Sequence, residues 1–174
     1  MSAPAQSAGG PIDNRDIEDW KNRFNKTLGE KGFLNSASPE NARPWSTGFF
    51  SCFSPIDLCL ITCCVPCVTF GKTHHRTRKN ANMEGYEPIN TSCLAFWASS
   101  CFGMHWVLQS MQMQDIREKY NLEGSCVMDI AKSCCCGCCA LIQAEKESEL
   151  RETEKGAVVT GQYASEGGMV AQPQ

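Results

Sequence analysis

A chain of 174 residues with a net charge of −3 has room for one modest domain plus tails. With a pI near 5.6, only a short basic patch and no recognised binding motif around it, the chain reads poorly as a nucleic-acid binder. The mean hydropathy of −0.31 suits a water-facing protein, but charge is unevenly spread: Asp57 is the only charged residue from Pro44 to Gly71, and there is none from Ile89 to Gln114.

In chain order, residues 1–12 read as a disordered tail. Met1 to Gly10 lacks a basic stretch followed by an apolar one, so no secretory signal is expected, and Ser2 rules out myristoylation of a glycine there. The cysteines are therefore expected in a reducing compartment, where structural disulfides are rare. Residues 13–43 predict an amphipathic helix, with Ile17, Trp20, Phe24 and Leu28 on one face and Asp13 or Asn14 as cap, and then a loop. Its balanced charges favour packing on its own domain over lying on a membrane.

The region 44–155 reads as a cysteine-rich helical domain. Ser54-Pro55-Ile56-Asp57 has helix-start chemistry, with a hydroxyl cap, proline at the first helical position and an acid at the third. That helix should run from Ile56 to about Cys64, where Pro66 breaks or kinks it, and a second segment, Val68 to Asn80, follows. Thr91 or Ser92 should cap the apolar run Cys93 to Leu108. This run is short for a bilayer core of about 30 Å, so a membrane-dipping or buried helix fits as well as a span. Ser125 should open a last helix running through Cys134–Cys139 to about Glu154. Glu145, Glu147, Glu149, Arg151 and their neighbours form a solvated face at its end, and residues 156–174 form a disordered tail. The expected class is mainly α, a compact cysteine-rich helical domain with two short apolar segments between disordered tails.

Ten of the thirteen cysteines fall in two knots, Cys52, Cys59, Cys63, Cys64 and Cys67, then Cys134, Cys135, Cys136, Cys138 and Cys139. The knots are not copies of each other in sequence, and no repeat of fixed period is present. Thiols at three- and four-residue spacing point to a soft-metal site, a lipidated surface, a disulfide staple or simple packing. On a continuous helix Cys59, Cys63 and Cys67 share a face, and Pro66 can swing Cys67 toward a shared centre. Pairs drawn from Cys135, Cys136 and Cys139 can supply further sulfurs. The candidate ligands are therefore Cys59, Cys63, Cys67, Cys135, Cys136 and Cys139, with Cys64, Cys138, His74 and His75 as possible additions. The ion would be zinc or another soft divalent metal. Lys72, Arg76, Arg78 and Lys79 suit an anionic membrane face. A thiol protease needs a lone cysteine with a positioned imidazole, which this row of thiols does not offer, so no enzymatic activity is expected. Asp57 reads as a helix-start acid and Asp129 as part of a polar face.

Pro44-Trp45-Ser46-Thr47-Gly48 leading to Cys52, CLITCCVPCVTFGK from Cys59 to Lys72, Arg117-Glu118-Lys119-Tyr120 with Gly124-Ser125, and CCGCCALIQAEKESELR from Cys135 to Arg151 together resemble the placenta-specific-eight cysteine-rich family. This family includes the cell-number and fruit-weight regulators and the plant cadmium-resistance proteins. The likeness covers about residues 44–151, and the acidic end looks closer to fungal-type members. Two positions depart from the family pattern. Val65-Pro66-Cys67 stands where the family has Cys-Pro-Cys, and Ile142 stands where it has a cysteine after Ala-Leu.

The resemblance implies a small membrane-associated protein with two apolar segments, linked to cadmium or zinc resistance or to control of cell number. The expectation is a membrane-bound chain, at the plasma membrane with its cysteines facing the cytoplasm, that binds zinc or cadmium through clustered thiolates and aids export. Its partners would be membrane lipid, the divalent metal ion and further copies of itself, with no nucleic acid. The alternative is a palmitoylated adaptor or growth regulator that moves no ion.

Overall fold

The computed structural model describes residues 12–29 and 37–166, with the side chains of residues 28 and 157–166 outside that description. Residues 1–11 and 167–174 of the expected tails and the side chain of Leu28 therefore lie outside the described residues, whereas residues 156–166, expected as tail beyond a helix ending near Glu154, continue the last helix. Seven α-helices and one short 3-10 turn are present, and no strand is found among the described residues. The helices are α1 Asn14–Gly29, α2 Ile56–Cys64, α3 Pro66–Arg78, α4 Thr91–Cys101, α5 His105–Tyr120, α6 Cys126–Cys135 and α7 Gly137–Glu166, with the 3-10 turn at Ser51–Phe53 before α2.

α7 is the organising element. Its first turns are buried nearly all round, and three apolar clusters form against it. Leu141 joins Trp20, Phe70, Phe96 and Leu108. Ala144 joins Met113, Ile116, Tyr120 and Leu122. Cys139 and Ile142 join Cys52 and Cys59. Each large apolar side chain removed from water in this way contributes about 1.5–3 kcal/mol before chain entropy is counted.

Three expected helices differ in the fold. α2 begins at Ile56, with Pro55 in the cap position and no side-chain cap bond, so Ser54 does not serve as the hydroxyl cap. The apolar run Cys93–Leu108 is two helices. Gly103 at φ +68 turns the chain between α4 and α5, and Asn90, rather than Thr91 or Ser92, caps α4 by accepting from the Cys93 N–H. The last helix is also two: α6 ends at Cys135, and Cys136 (φ −145, ψ 76) breaks it before α7. Val65 makes the same break between α2 and α3 (φ −136, ψ 68), where the axes bend by 112°. Ser125 does cap α6, accepting from the Met128 N–H.

The polar assignments change as well. Glu145 and Glu147 do not belong to a solvated face; both are fully buried. Glu145 takes Lys72 at 2.9 Å, Arg76 at 2.7 Å and the Thr73 hydroxyl at 2.7 Å. Glu147 takes the Ser46 N–H at 2.8 Å and Arg151 at 2.9 Å. Asp129 is buried rather than on a polar face, paired with buried Arg117 at 3.1 Å. On α1, Trp20 and Phe24 pack inward as expected, but Ile17 is exposed and Asp16 takes its place on the buried side. The reason lies beneath the helix, where Lys79 meets Asp16 at 2.9 Å and Arg78 meets Asp19 at 2.5 Å. A cationic floor selects acids.

Candidate functional site: a cluster of thiols at the start of α7

Two strings of sequence far apart in the chain make this site. The Trp45–Gly48 segment lies across α7: Ser46 holds Glu147, and the Thr47 carbonyl accepts from Gln143 at 2.8 Å. That strap delivers the 3-10 turn, and with it Cys52, to the opening turn of α7. The Cys52 and Cys139 sulfurs stand 2.9 Å apart, and Cys139 and Cys136 stand 2.6 Å apart. Beside them α2 brings Cys59 and Cys63. Cys63 lies close enough to raise the thiols of Cys59 and Cys138, and Cys59 packs with Cys52 and Cys139. Six sulfurs therefore gather from the 3-10 turn, α2 and the α6–α7 junction.

Close backbone approach makes the junction possible. The Gln109 amide donates to the Gly137 carbonyl at 2.7 Å, and a Cβ on Gly137 would sit 3.2 Å from the Gln109 side-chain oxygen. A glycine here lets α5 press against the corner that carries Cys136 and Cys138.

Burial raises three of these thiols, Cys59, Cys138 and Cys139. Burial pushes the Cys139 thiol well up, with the Cys136 and Cys52 sulfurs adding to the effect. Cys138 is pushed up to about 11 by burial and by Cys63, and Cys59 is raised by burial and by Cys63.

Not every expected ligand comes to the cluster. Cys59, Cys63, Cys136, Cys138 and Cys139 do. Cys67 does not: because α2 ends at Cys64, the shared face with Cys59 and Cys63 is lost, and the bend carries Cys67 to the Trp20–Phe70 cluster. There it meets Cys93, whose thiol burial and Cys67 together push up to about 12. Cys64 and Cys135 are exposed at the ends of α2 and α6. His74 is buried, stacked on Trp20 at 5.1 Å, with Nδ1 2.9 Å from the Ser92 hydroxyl. His75 lies 3.1 Å from the Glu84 carbonyl. Neither imidazole belongs to the thiol cluster.

The four bases expected at a membrane face are all ion-paired within the fold. Lys72 and Arg76 are drawn inward to Glu145, Arg78 pairs with Asp19, and Lys79 pairs with Asp13 and Asp16. Cys52 is the member that the ligand reading missed. It lay in the first knot, but its seven-residue distance from Cys59 hid a partner 87 residues away.

Sulfur donors suit a soft divalent ion. As they stand, however, no three His, Cys, Asp or Glu side chains among the described residues are arranged to hold a metal. The Cys136–Cys139 and Cys52–Cys139 separations, 2.6 and 2.9 Å, are too short for sulfurs that share one metal. Sulfurs sharing a tetrahedral zinc with bonds of about 2.3 Å stand about 3.8 Å apart. The donor chemistry fits, and the sulfurs would have to spread to bind.

A helical chain whose paired cysteine knots meet around one buried corner defines a class of small cysteine-rich proteins. Residues 45–147 match the PLAC8 family, and the chain belongs to it. Among its relatives, plant cadmium resistance 1 of Arabidopsis thaliana is 32% identical over 155 residues, covering 76% of this chain and 95% of the relative. Plant cadmium resistance 8 of the same plant is 34% identical over 113 residues, 64% of this chain and 57% of the relative. Cell number regulator 9 of Zea mays is 32% identical over 108 residues, 62% of this chain and 59% of the relative. The match thus spans nearly all of the first relative and less than two thirds of the other two. No solved structure gives a significant match.

Proposed function

We propose that this chain binds a soft divalent cation, zinc or cadmium, as cargo in the thiol cluster of Cys52, Cys59, Cys63, Cys136, Cys138 and Cys139, and that it does so at a membrane surface. One observation carries this reading: sulfurs from three separate parts of the chain converge at a single corner, with Cys52 and Cys139 in contact across 87 residues. Cysteine used only as a small core hydrophobe has no need to meet cysteine. The names of two relatives, plant cadmium resistance 1 and 8, agree with it.

The membrane part of the proposal draws on surface chemistry. α2 is apolar yet leaves Ile56, Leu60 and Ile61 exposed; nearby in sequence Phe50, Phe53 and Val65 are exposed as well. No single described helix is long and apolar enough to cross a bilayer, while the bent pair α2–α3 passes by length and composition as a broken span or re-entrant loop. Such a seat suits the cytoplasmic face of the plasma membrane, and ion passage through a bilayer would need several copies acting together.

The test is metal content on purified, reduced chain after equilibration with zinc or cadmium and removal of free ion. About one ion per chain, lost in Cys63→Ser and in Cys136→Ser but kept in Cys64→Ser, is the expected result. No retained metal in the wild-type chain would end this reading.

A second reading rests on the thiols that the cluster leaves out. Cys64, Cys101, Cys134 and Cys135 are exposed, and large apolar residues such as Val65 and Phe102 are exposed beside some of them. This is the setting of reversible S-acylation, which would anchor an adaptor or growth regulator that moves no ion. Hydroxylamine-sensitive acyl groups on these four residues, with no bound metal, would select it.

A further inference from the structure

We infer that Cys136, Cys139 and Cys52 form a dithiol–disulfide site, a redox centre in which Cys139 can bond to either neighbour. This goes beyond the cation reading and does not need it: the two share sulfurs, but each can fail alone.

Sequence and geometry agree on the roles. Cys136-Gly137-Cys138-Cys139 places two cysteines at the spacing of dithiol redox motifs, at the corner where α6 stops and the 30-residue α7 begins. Cys136 is partly exposed and can meet a small solute, whereas Cys139 and Cys52 are buried. The Cys139 sulfur is the shared neighbour, 2.6 Å from that of Cys136 and 2.9 Å from that of Cys52. A bonded pair stands about 2.04 Å apart, so either bond needs only a small displacement.

The co-reactant is a low-molecular-weight disulfide of the glutathione type. The Cys136 thiol gives its proton to water, and its thiolate attacks one sulfur of the disulfide. A Cys136 mixed disulfide forms, and one small thiolate leaves and takes up a proton. Cys139, deprotonated in turn, attacks the Cys136 sulfur, forming the Cys136–Cys139 bond and expelling the second small thiolate. Two thiols of the chain are oxidised, and one small disulfide is reduced to two thiols. Attack by the Cys52 thiolate on the Cys139 sulfur then transfers the bond to Cys52–Cys139 and returns Cys136 as a thiol. The exposed sulfur accepts the oxidising equivalent, and the buried pair stores it.

The experiment uses the full chain, reduced and treated with chelator so that bound metal plays no part. It is equilibrated with mixtures of oxidised and reduced glutathione, quenched in acid and unfolded. Free thiols are alkylated with one label, disulfide thiols with a second after reduction, and the labels are located by fragmentation of the 133–146 peptide and the peptide containing Cys52. The expected result is one intrachain disulfide per chain, always including Cys139 and shared between Cys136 and Cys52, with a midpoint independent of protein concentration. Cys139→Ser should lower intrachain disulfide by about tenfold and trap glutathione on Cys136. Wild-type chains whose second label falls on Cys63, Cys64, Cys134 or Cys135 while Cys139 stays free would overturn the inference, and mapping the wild type needs no variant to fold. Metal retention in the reduced chain is a separate readout, so loss of one property leaves the other measurable.

Discussion

At the level of single residues, several positions that read as surface chemistry in the sequence are buried electrostatics in the fold. Asp129 is the clearest. Burial raises its carboxyl to about 6 even though the Arg117 guanidinium pulls the other way. Below about pH 4 the carboxyl is protonated in both the folded and unfolded chain. Between about pH 4 and 6 the folded chain keeps a proton that the unfolded chain has released, so raising the pH through that window lowers stability. The shift corresponds to a loss on the order of 3 kcal/mol. Urea midpoints of wild type and Asp129→Asn across pH 4–7 should differ in slope by this much; parallel curves would contradict it. Glu145 makes the opposite case. Glu145→Gln leaves Lys72 and Arg76 without their buried counter-charge and should cost about 3–5 kcal/mol in urea unfolding. Gly124 is fixed by its backbone: at φ +144, with an added Cβ only 3.1 Å from the Arg117 side chain, Gly124→Ala should lower stability by about 1–3 kcal/mol.

Among the helices, the two corners are the lesson. Pro66 announced its break in the sequence, since proline removes a donor and forces the preceding residue out of the helical region. Nothing of that kind announced the break at Cys136, where the following residue is Gly137, yet Cys136 and Val65 adopt nearly the same backbone angles. Two sequences that are not copies thus share one bend, and tertiary packing sets it: Gln109 of α5 clamps the Gly137 carbonyl. It follows that Pro66→Ala should leave the corner in place and change stability by less than about 1 kcal/mol, whereas Gly137→Val should cost more than Pro66→Ala, because its side chain meets Gln109. Thermal unfolding of the two variants decides it; a larger loss in Pro66→Ala would show that proline holds the bend. Mainly helical class and the inward packing of Trp20 were legible from periodicity, the start of α6 from its serine cap, and the start of α2 from the proline before it rather than from the expected hydroxyl cap. The partition of cysteines was not. A helical wheel drawn through Cys59, Cys63 and Cys67 assumes a straight axis, and a bend of 112° sends Cys67 to Cys93 instead.

For the molecule as a whole, the stretches that carried the family resemblance turn out to touch one another. Trp45–Gly48 straps α7, Arg117 and Gly124 pack together, and the two cysteine knots close on one corner. What made them recognisable is largely what holds the thiols in place. The basic run on α3, which read as a membrane footprint, is paired with acids of α1 and α7, so the attachment to a bilayer proposed above would draw on apolar surface instead. Leu60→Glu together with Ile61→Glu should then reduce co-flotation with neutral phosphatidylcholine vesicles by about tenfold, and added salt should leave wild-type binding nearly unchanged. Binding that needs anionic lipid and vanishes in salt would contradict that.

The cation-binding claim has its own most direct measurement, the zinc absorption edge of the loaded, reduced chain. Because Cys59, Cys138 and Cys139 are held protonated, loading must release protons and should tighten as pH rises from about 6.5 to 8.5. Four sulfurs at about 2.3 Å around each ion, lost in Cys139→Ser, is the predicted result. A first shell of oxygen or nitrogen, or no zinc retained at any pH in that range, would contradict it.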